Sequence, residues 1–153
     1  MLSREDIWKV LESYDLNDIS IGVIGSHSAL DVMDGAKDEG FKTVVVCQRG
    51  RELPYKMFKR IVDEMIVLDK FSDVTKEEIQ EKLRRLNIIF IPHRSFTAYV
   101  PYDDIENRFS IPIFGNRFIL RTEERDAPRN QYYLLEKAGI RQPKKYSKPE
   151  EID

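Results

Sequence analysis

Two short stretches of this 153-residue chain bring hydroxyls and an imidazole together on small backbone: Gly25-Ser26-His27-Ser28, and Pro92-His93-Arg94-Ser95-Phe96-Thr97. Each directly follows an apolar, β-prone run, the place where open parallel sheets bind ligands. In the first, Gly25 lets the chain turn sharply, and a following helix would aim its free N–H groups and positive dipole end at whatever fills the crevice. Ser26, His27 and Ser28 beside that terminus suit a phosphate or a sugar. In the second, Ser95 and Thr97 offer donors, and Arg94 a bidentate partner for an anion. Each stretch also has a plain structural reading: Ser28 as a helix N-cap beside a solvated His27, and a helix cap beside an exposed Arg94. The residues alone leave both open, although two polar ends on neighbouring strands tilt toward a ligand. Neither stretch is a dinucleotide fingerprint, since no second and third glycine follow.

Other chemistry is weaker. Gln48-Arg49-Gly50-Arg51 is a basic loop where a nucleotide tail could rest, but solvated surface is the simpler reading. Asp103, Asp104 and Glu106 lack a histidine or cysteine at ligand spacing, which argues against a metal site. No Walker loop and no serine elbow occurs. The single cysteine, Cys47, lies in the apolar run Thr43-Val-Val-Val-Cys47, and reads as a buried strand residue, not a nucleophile.

The elements that must position these residues follow from the pattern. Ser3 and Asp6 open a helix whose stripe is Ile7, Val10 and Leu11. Strands are expected at 19–24, 43–47, 64–68 and 88–91, with helices at 29–39, stopped by Gly40, and at 76–86. Thr75 and Glu78 suggest a capping box for the latter. Residues 48–54 read as a loop, 55–60 as a short helix and 102–107 as a helical turn. A possible fifth strand at 111–114 should lie at an edge or be irregular, because Pro112 lacks a donor. Apolar strands alternating with helices specify an α/β fold, an open, mostly parallel sheet covered on both sides. We expect a ligand-binding α/β domain over residues 1–115. From 116 to 153 the chain turns to charged helices, a stop at Gly139 and a basic, proline-spaced tail, a carboxyl-terminal helical connector.

Composition limits the function classes. Twenty-five basic residues against 27 acidic give a net charge of −2, so neither nucleic acid nor an anionic membrane is an expected partner. No signal peptide or membrane-spanning run is visible, and a cytoplasmic location is expected.

The same residues carry a family resemblance. Over its whole length the chain resembles the front portion of the archaeal formaminoimidazole carboxamide ribonucleotide synthetases, of the ATP-grasp superfamily. The matching stretches are Gly25-Ser-His-Ser-Ala-Leu30, Gly35-Ala-Lys-Asp-Glu-Gly-Phe41, Pro92-His-Arg-Ser-Phe96, Ile111-Pro-Ile-Phe-Gly-Asn-Arg117, Leu120-Arg121, Glu124-Arg125, and Leu134-Leu-Glu-Lys-Ala-Gly-Ile-Arg141 followed by Pro143. The resemblance implies a Rossmann-like domain preceding an ATP-grasp portion, and a carbon–nitrogen ligase of IMP biosynthesis. Such a ligase joins formate to aminoimidazole carboxamide ribonucleotide (AICAR): ATP, with magnesium, phosphorylates formate, and the AICAR amine attacks the formyl phosphate. It further implies that His27 and Ser95 contact the ribonucleotide, with Ser26, Ser28 and Arg94 beside them. The ATP and magnesium sites would lie outside this chain, which alone should be inactive. The family also tends toward homo-oligomers. Arg94 replaces the family's usual glycine, Thr122 replaces a tryptophan, and the link at 126–131 is longer or less regular. The alternative reading is therefore a stand-alone or diverged nucleotide-binding module without ligase activity. A receiver-type signalling domain is rejected, because no acidic cluster follows the first strand.

Overall fold

The computed structural model describes residues 2–124, 127–144 and 146–152. It divides into two compact units, Met1–Phe118 and Ile119–Asp153.

In the first unit, α1 (Arg4–Glu12) begins at a capping box: the Asp6 amide donates to Ser3 Oγ at 3.1 Å, and the Ser3 amide donates to the Asp6 carboxylate at 2.8 Å. Next come β1 (Ser20–Ile24), α2 (Ala29–Asp38), β2 (Lys42–Gln48), α3 (Leu53–Met57) and β3 (Glu64–Leu68). Then follow α4 (Glu77–Arg85), β4 (Ile88–Phe90), α5 (Arg94–Tyr99) and α6 (Tyr102–Asn107). The four strands form one all-parallel sheet in the order β3-β2-β1-β4, with Val23 opposite Val45 and Gly22 opposite Phe90. All five residues Thr43 to Cys47 are buried, as a strand covered on both faces requires.

The pleat splits the core in two. Val23, Val45 and Cys47 pack with Ala29 and Met33 of α2 and Tyr55 of α3. Phe90 instead stacks with Phe96 of α5 and with Phe109, ring centroids 4.9 and 5.2 Å away. The chain proceeds from β1 outward to β3, then returns past β1 to β4. The polypeptide therefore leaves β1 and β4 in different directions, and this topological switch point opens a crevice at their carboxyl ends.

The structure sharpens three local expectations. Thr75 does not cap α4: it ends a 3-10 turn, Phe71–Thr75, and its hydroxyl donates to the Ser72 carbonyl at 3.0 Å. The N-cap position falls on Lys76 and has no side-chain bond. The stretch 111–114 is not a strand but a single parallel bridge from Ile113 to Phe90, on the outer side of β4. Pro112 still contributes its carbonyl, which accepts from the Phe90 amide at 2.8 Å. Finally, α5 starts at Arg94 and places Ser95 and Thr97 of the second polar stretch in its first turn.

The second unit holds a 3-10 turn (Leu120–Glu123), α7 (Gln131–Lys137) and a 3-10 turn (Pro149–Glu151). Asn130 caps α7 by accepting from the Tyr133 amide at 3.2 Å, and Gly139 closes it in the left-handed region at φ 65°. Ile119, Leu134 and Ile140 stay exposed, and Leu120 and Leu135 are half-buried. Of the irregular link expected at 126–131, Asp126 lies outside the described residues; so does Lys145 of the basic tail.

Candidate functional site

The carboxyl ends of β1 and β4 are joined by a residue that the sequence reading passed over. His93 is the N-cap of α5, with Nδ1 accepting from the Ser95 amide at 3.3 Å. Its Nε2 lies 2.9 Å from the Ile24 carbonyl, so Nε2 carries the proton and donates. Burial holds the imidazole below its ordinary pKa, and the ring is neutral at pH 7. One side chain thus latches the start of α5 to the end of β1. Only the cap half had a local signal, a histidine just after a strand and two residues before Ser95, since an imidazole nitrogen can accept as a cap does; the bond to Ile24 had none.

Next to the latch, groups without partners converge. His27 is exposed and held at φ 40°, in the left-handed region that non-glycine residues seldom adopt. Ser28 sits at the N-cap position of α2 without a side-chain bond, so the structural reading for it fails. Ala29 and Val32 amides are satisfied by the Ser26 and Ser28 carbonyls. Those of Leu30 and Asp31 have no acceptor among the described residues. Across the crevice Ser95 is only 6% exposed and its hydroxyl makes no hydrogen bond among the described residues. The one buried side-chain oxygen left unsatisfied among those residues is Tyr14 Oη, so the unbonded Ser95 Oγ keeps some access to solvent. Arg94 is exposed and its Nη1 reaches Thr97 Oγ1 at 3.2 Å; Thr97 Oγ1 in turn donates to the Arg94 carbonyl at 3.0 Å. Thr97 is therefore spent within its own helix turn.

Gly25 has a different reason from the one its position suggests. Its φ is not positive; a Cβ there would meet Val45 Cγ2 at 2.9 Å and the Tyr55 ring at 3.0 Å. Glycine lets Tyr55 close the floor of this loop. Among the described residues no three His, Cys, Asp or Glu side chains gather as a metal site would need. Among the described residues no helix is long and apolar enough to cross a membrane.

Serines 26, 28 and 95 with His27 therefore share one end of the sheet, with Arg94 at the outer side of the same turn. Hydroxyls, an imidazole and the two unbonded α2 amides at one sheet end suit an anionic, hydroxyl-rich small molecule.

A family model described as "Protein of unknown function (DUF1246)" matches residues 21–146. A protein of Methanothermobacter thermautotrophicus is 52% identical over 153 residues, covering 99% of this chain and 41% of that protein. One of Methanocaldococcus jannaschii is 48% identical over 153 residues, covering 100% and 42%. Both are named 5-formaminoimidazole-4-carboxamide-1-(beta)-D-ribofuranosyl 5'-monophosphate synthetase. Among solved structures, the IMP biosynthesis protein PurP from Thermococcus kodakaraensis aligns with a TM-score of 0.64 at 30% identity, over 84% of this chain and 41% of that one. The chain spans about two-fifths of the length of these relatives.

Proposed function

This chain belongs to the DUF1246 family, and we propose that it forms the ribonucleotide-binding portion of a ligase that joins formate to AICAR. The observation that carries the reading is the crevice at the β1–β4 switch point. The residues it leaves without partners, His27 and Ser95, are the ones the family resemblance assigns to the substrate. A 5′-phosphate placed there would accept from the Leu30 and Asp31 amides and from Ser28 and Ser95. His27, held in a costly backbone conformation, would present its ring to the ribose or the carboxamide. Arg94, where the family's usual residue is glycine, flanks the phosphate as a charge-assisted donor.

The role of these residues is to bind and orient. A fixed amine and a fixed acyl donor react far faster than free ones, and a rigid sheet end supplies half of that arrangement. ATP, magnesium and formate would be met by the additional length of the relatives, and the chain alone would bind AICAR without turning it over. Its setting would be the cytoplasm, and the longer assembly a homo-oligomer. In the same reading, residues 1–115 are the binding domain and 116–153 the connector.

Titration calorimetry with AICAR tests this. His27→Ala and Ser95→Ala should each weaken binding by about 1–3 kcal/mol, the usual cost of a lost hydrogen-bond partner. Unchanged affinity in both variants would remove the site from this crevice.

A further inference from the structure

The segments that follow all four strands meet at a second cluster beside the crevice. Arg51 follows β2, Phe71 follows β3, Tyr99 ends the helix after β4, and Ser26 follows β1. The Phe71 and Tyr99 rings lie 4.7 Å apart. The Arg51 guanidinium rests against both, 5.6 and 5.4 Å from their centroids, and its Nη1 donates to Tyr99 Oη at 3.0 Å. The Ser26 side chain interacts with the same phenol, and together Arg51, then Ser26, hold Tyr99 below its ordinary pKa.

What marks Arg51 is its charge balance. Its loop neighbour Arg49 is paired with Asp69 at 2.8 Å. The Glu52 carboxylate is turned back onto the Gly50 amide at 2.9 Å. Arg51 itself has no carboxylate partner among the described residues; it donates to the Tyr99 phenol and leans on two ring faces. Such a site holds a guanidinium in a fixed place and leaves its charge uncompensated. The neighbouring α2 terminus needs that charge, because Asp31 in its first turn already offsets the dipole. A dianionic phosphate there calls for more positive charge than Arg94 alone brings, and Ser26 and Tyr99 tie the Arg51 guanidinium to the same loop.

We propose that Arg51, positioned by Tyr99 and Phe71, is the group that selects a 5′-monophosphate over its parent nucleoside in this crevice. The proposal rests on the ribonucleotide reading above and goes beyond it by naming the residue that reads the phosphate. Arg51 is exposed, so its replacement leaves the core intact.

The test is calorimetry on the 153-residue chain with AICAR, its dephosphorylated ribonucleoside, and AMP, for wild type, Arg51→Gln and, as control, Arg49→Gln. Arg51→Gln should lower affinity for both monophosphates about ten-fold or more, a charge-assisted bond's worth. It should leave the nucleoside unchanged and flatten the salt dependence, while Arg49→Gln moves nothing. Equal loss on monophosphate and nucleoside, or no loss on either monophosphate, overturns the assignment. Binding of AMP but not AICAR, with the Arg51 effect intact, would refute the choice of base and keep the phosphate reader. Wild type binding neither monophosphate would overturn both.

Discussion

Replacing His93 with alanine separates the latch from the ligand contacts. Two hydrogen bonds disappear. The first is the cap to the Ser95 amide, and a lost N-cap costs about 1 kcal/mol. The second is the bond to the Ile24 carbonyl, which also accepts from the Ser26 amide at 2.9 Å. That oxygen is not orphaned, so its share is about 1 kcal/mol instead of the larger penalty of an unsatisfied group. The sum, about 2 kcal/mol, corresponds to a fall of roughly 4–8 °C in Tm for a chain of this size. The pH dependence has a definite sign. Burial depresses the native pKa of His93, while the unfolded ring protonates near its ordinary value of about 6.5. Below that pH the unfolded state binds more protons, and wild type loses stability as pH falls from about 6.5 toward the native value. Above it the ring is neutral in both states, and this contribution is complete. His93→Ala removes that acid loss, so the gap between variant and wild type should narrow below pH 6.5. Scanning calorimetry at pH 5 and pH 8 measures both effects, with His27→Ala, which lacks these bonds, as control. A Tm unchanged at pH 8, or a gap that widens in acid, would refute the latch.

Tyr14→Phe should stabilise the chain by about 1 kcal/mol in denaturant titration, because it removes the buried hydroxyl without a partner whose pKa burial drives upward. Cys47 is fully buried and its thiol is pushed up to about 11. A thiol-specific disulfide reagent at pH 8 should label it only after denaturation, and fast native labelling would contradict the packing. Gly25→Ala forces a methyl against Val45 and Tyr55, and should cost about 1–3 kcal/mol by thermal melting.

The sheet was legible because its strands are short apolar runs bounded by Gly40, Asn87 and Pro92, and the structure keeps each of them. Legible too was that each polar stretch follows a strand; their side-by-side placement comes from the strand order, in which β4 returns to lie beside β1. His93 was not, because its role exists only across 69 residues of separation, where its Nε2 reaches Ile24. Thr75 misled for the same reason in reverse: its local pattern fits a cap, but burial against the 3-10 turn takes its hydroxyl elsewhere. Arg51 read as solvated surface because nothing local ties it to Tyr99. The contact is made by topology, with the ends of β2 and β4 brought together over β1.

A crystal structure of the chain grown with AICAR tests the central claim most directly. The phosphate should lie within hydrogen-bond distance of Ser95 Oγ and the Leu30 and Asp31 amides, with His27 against the ribose or carboxamide. A ribonucleotide bound elsewhere, with the β1–β4 crevice filled by solvent alone, would contradict it.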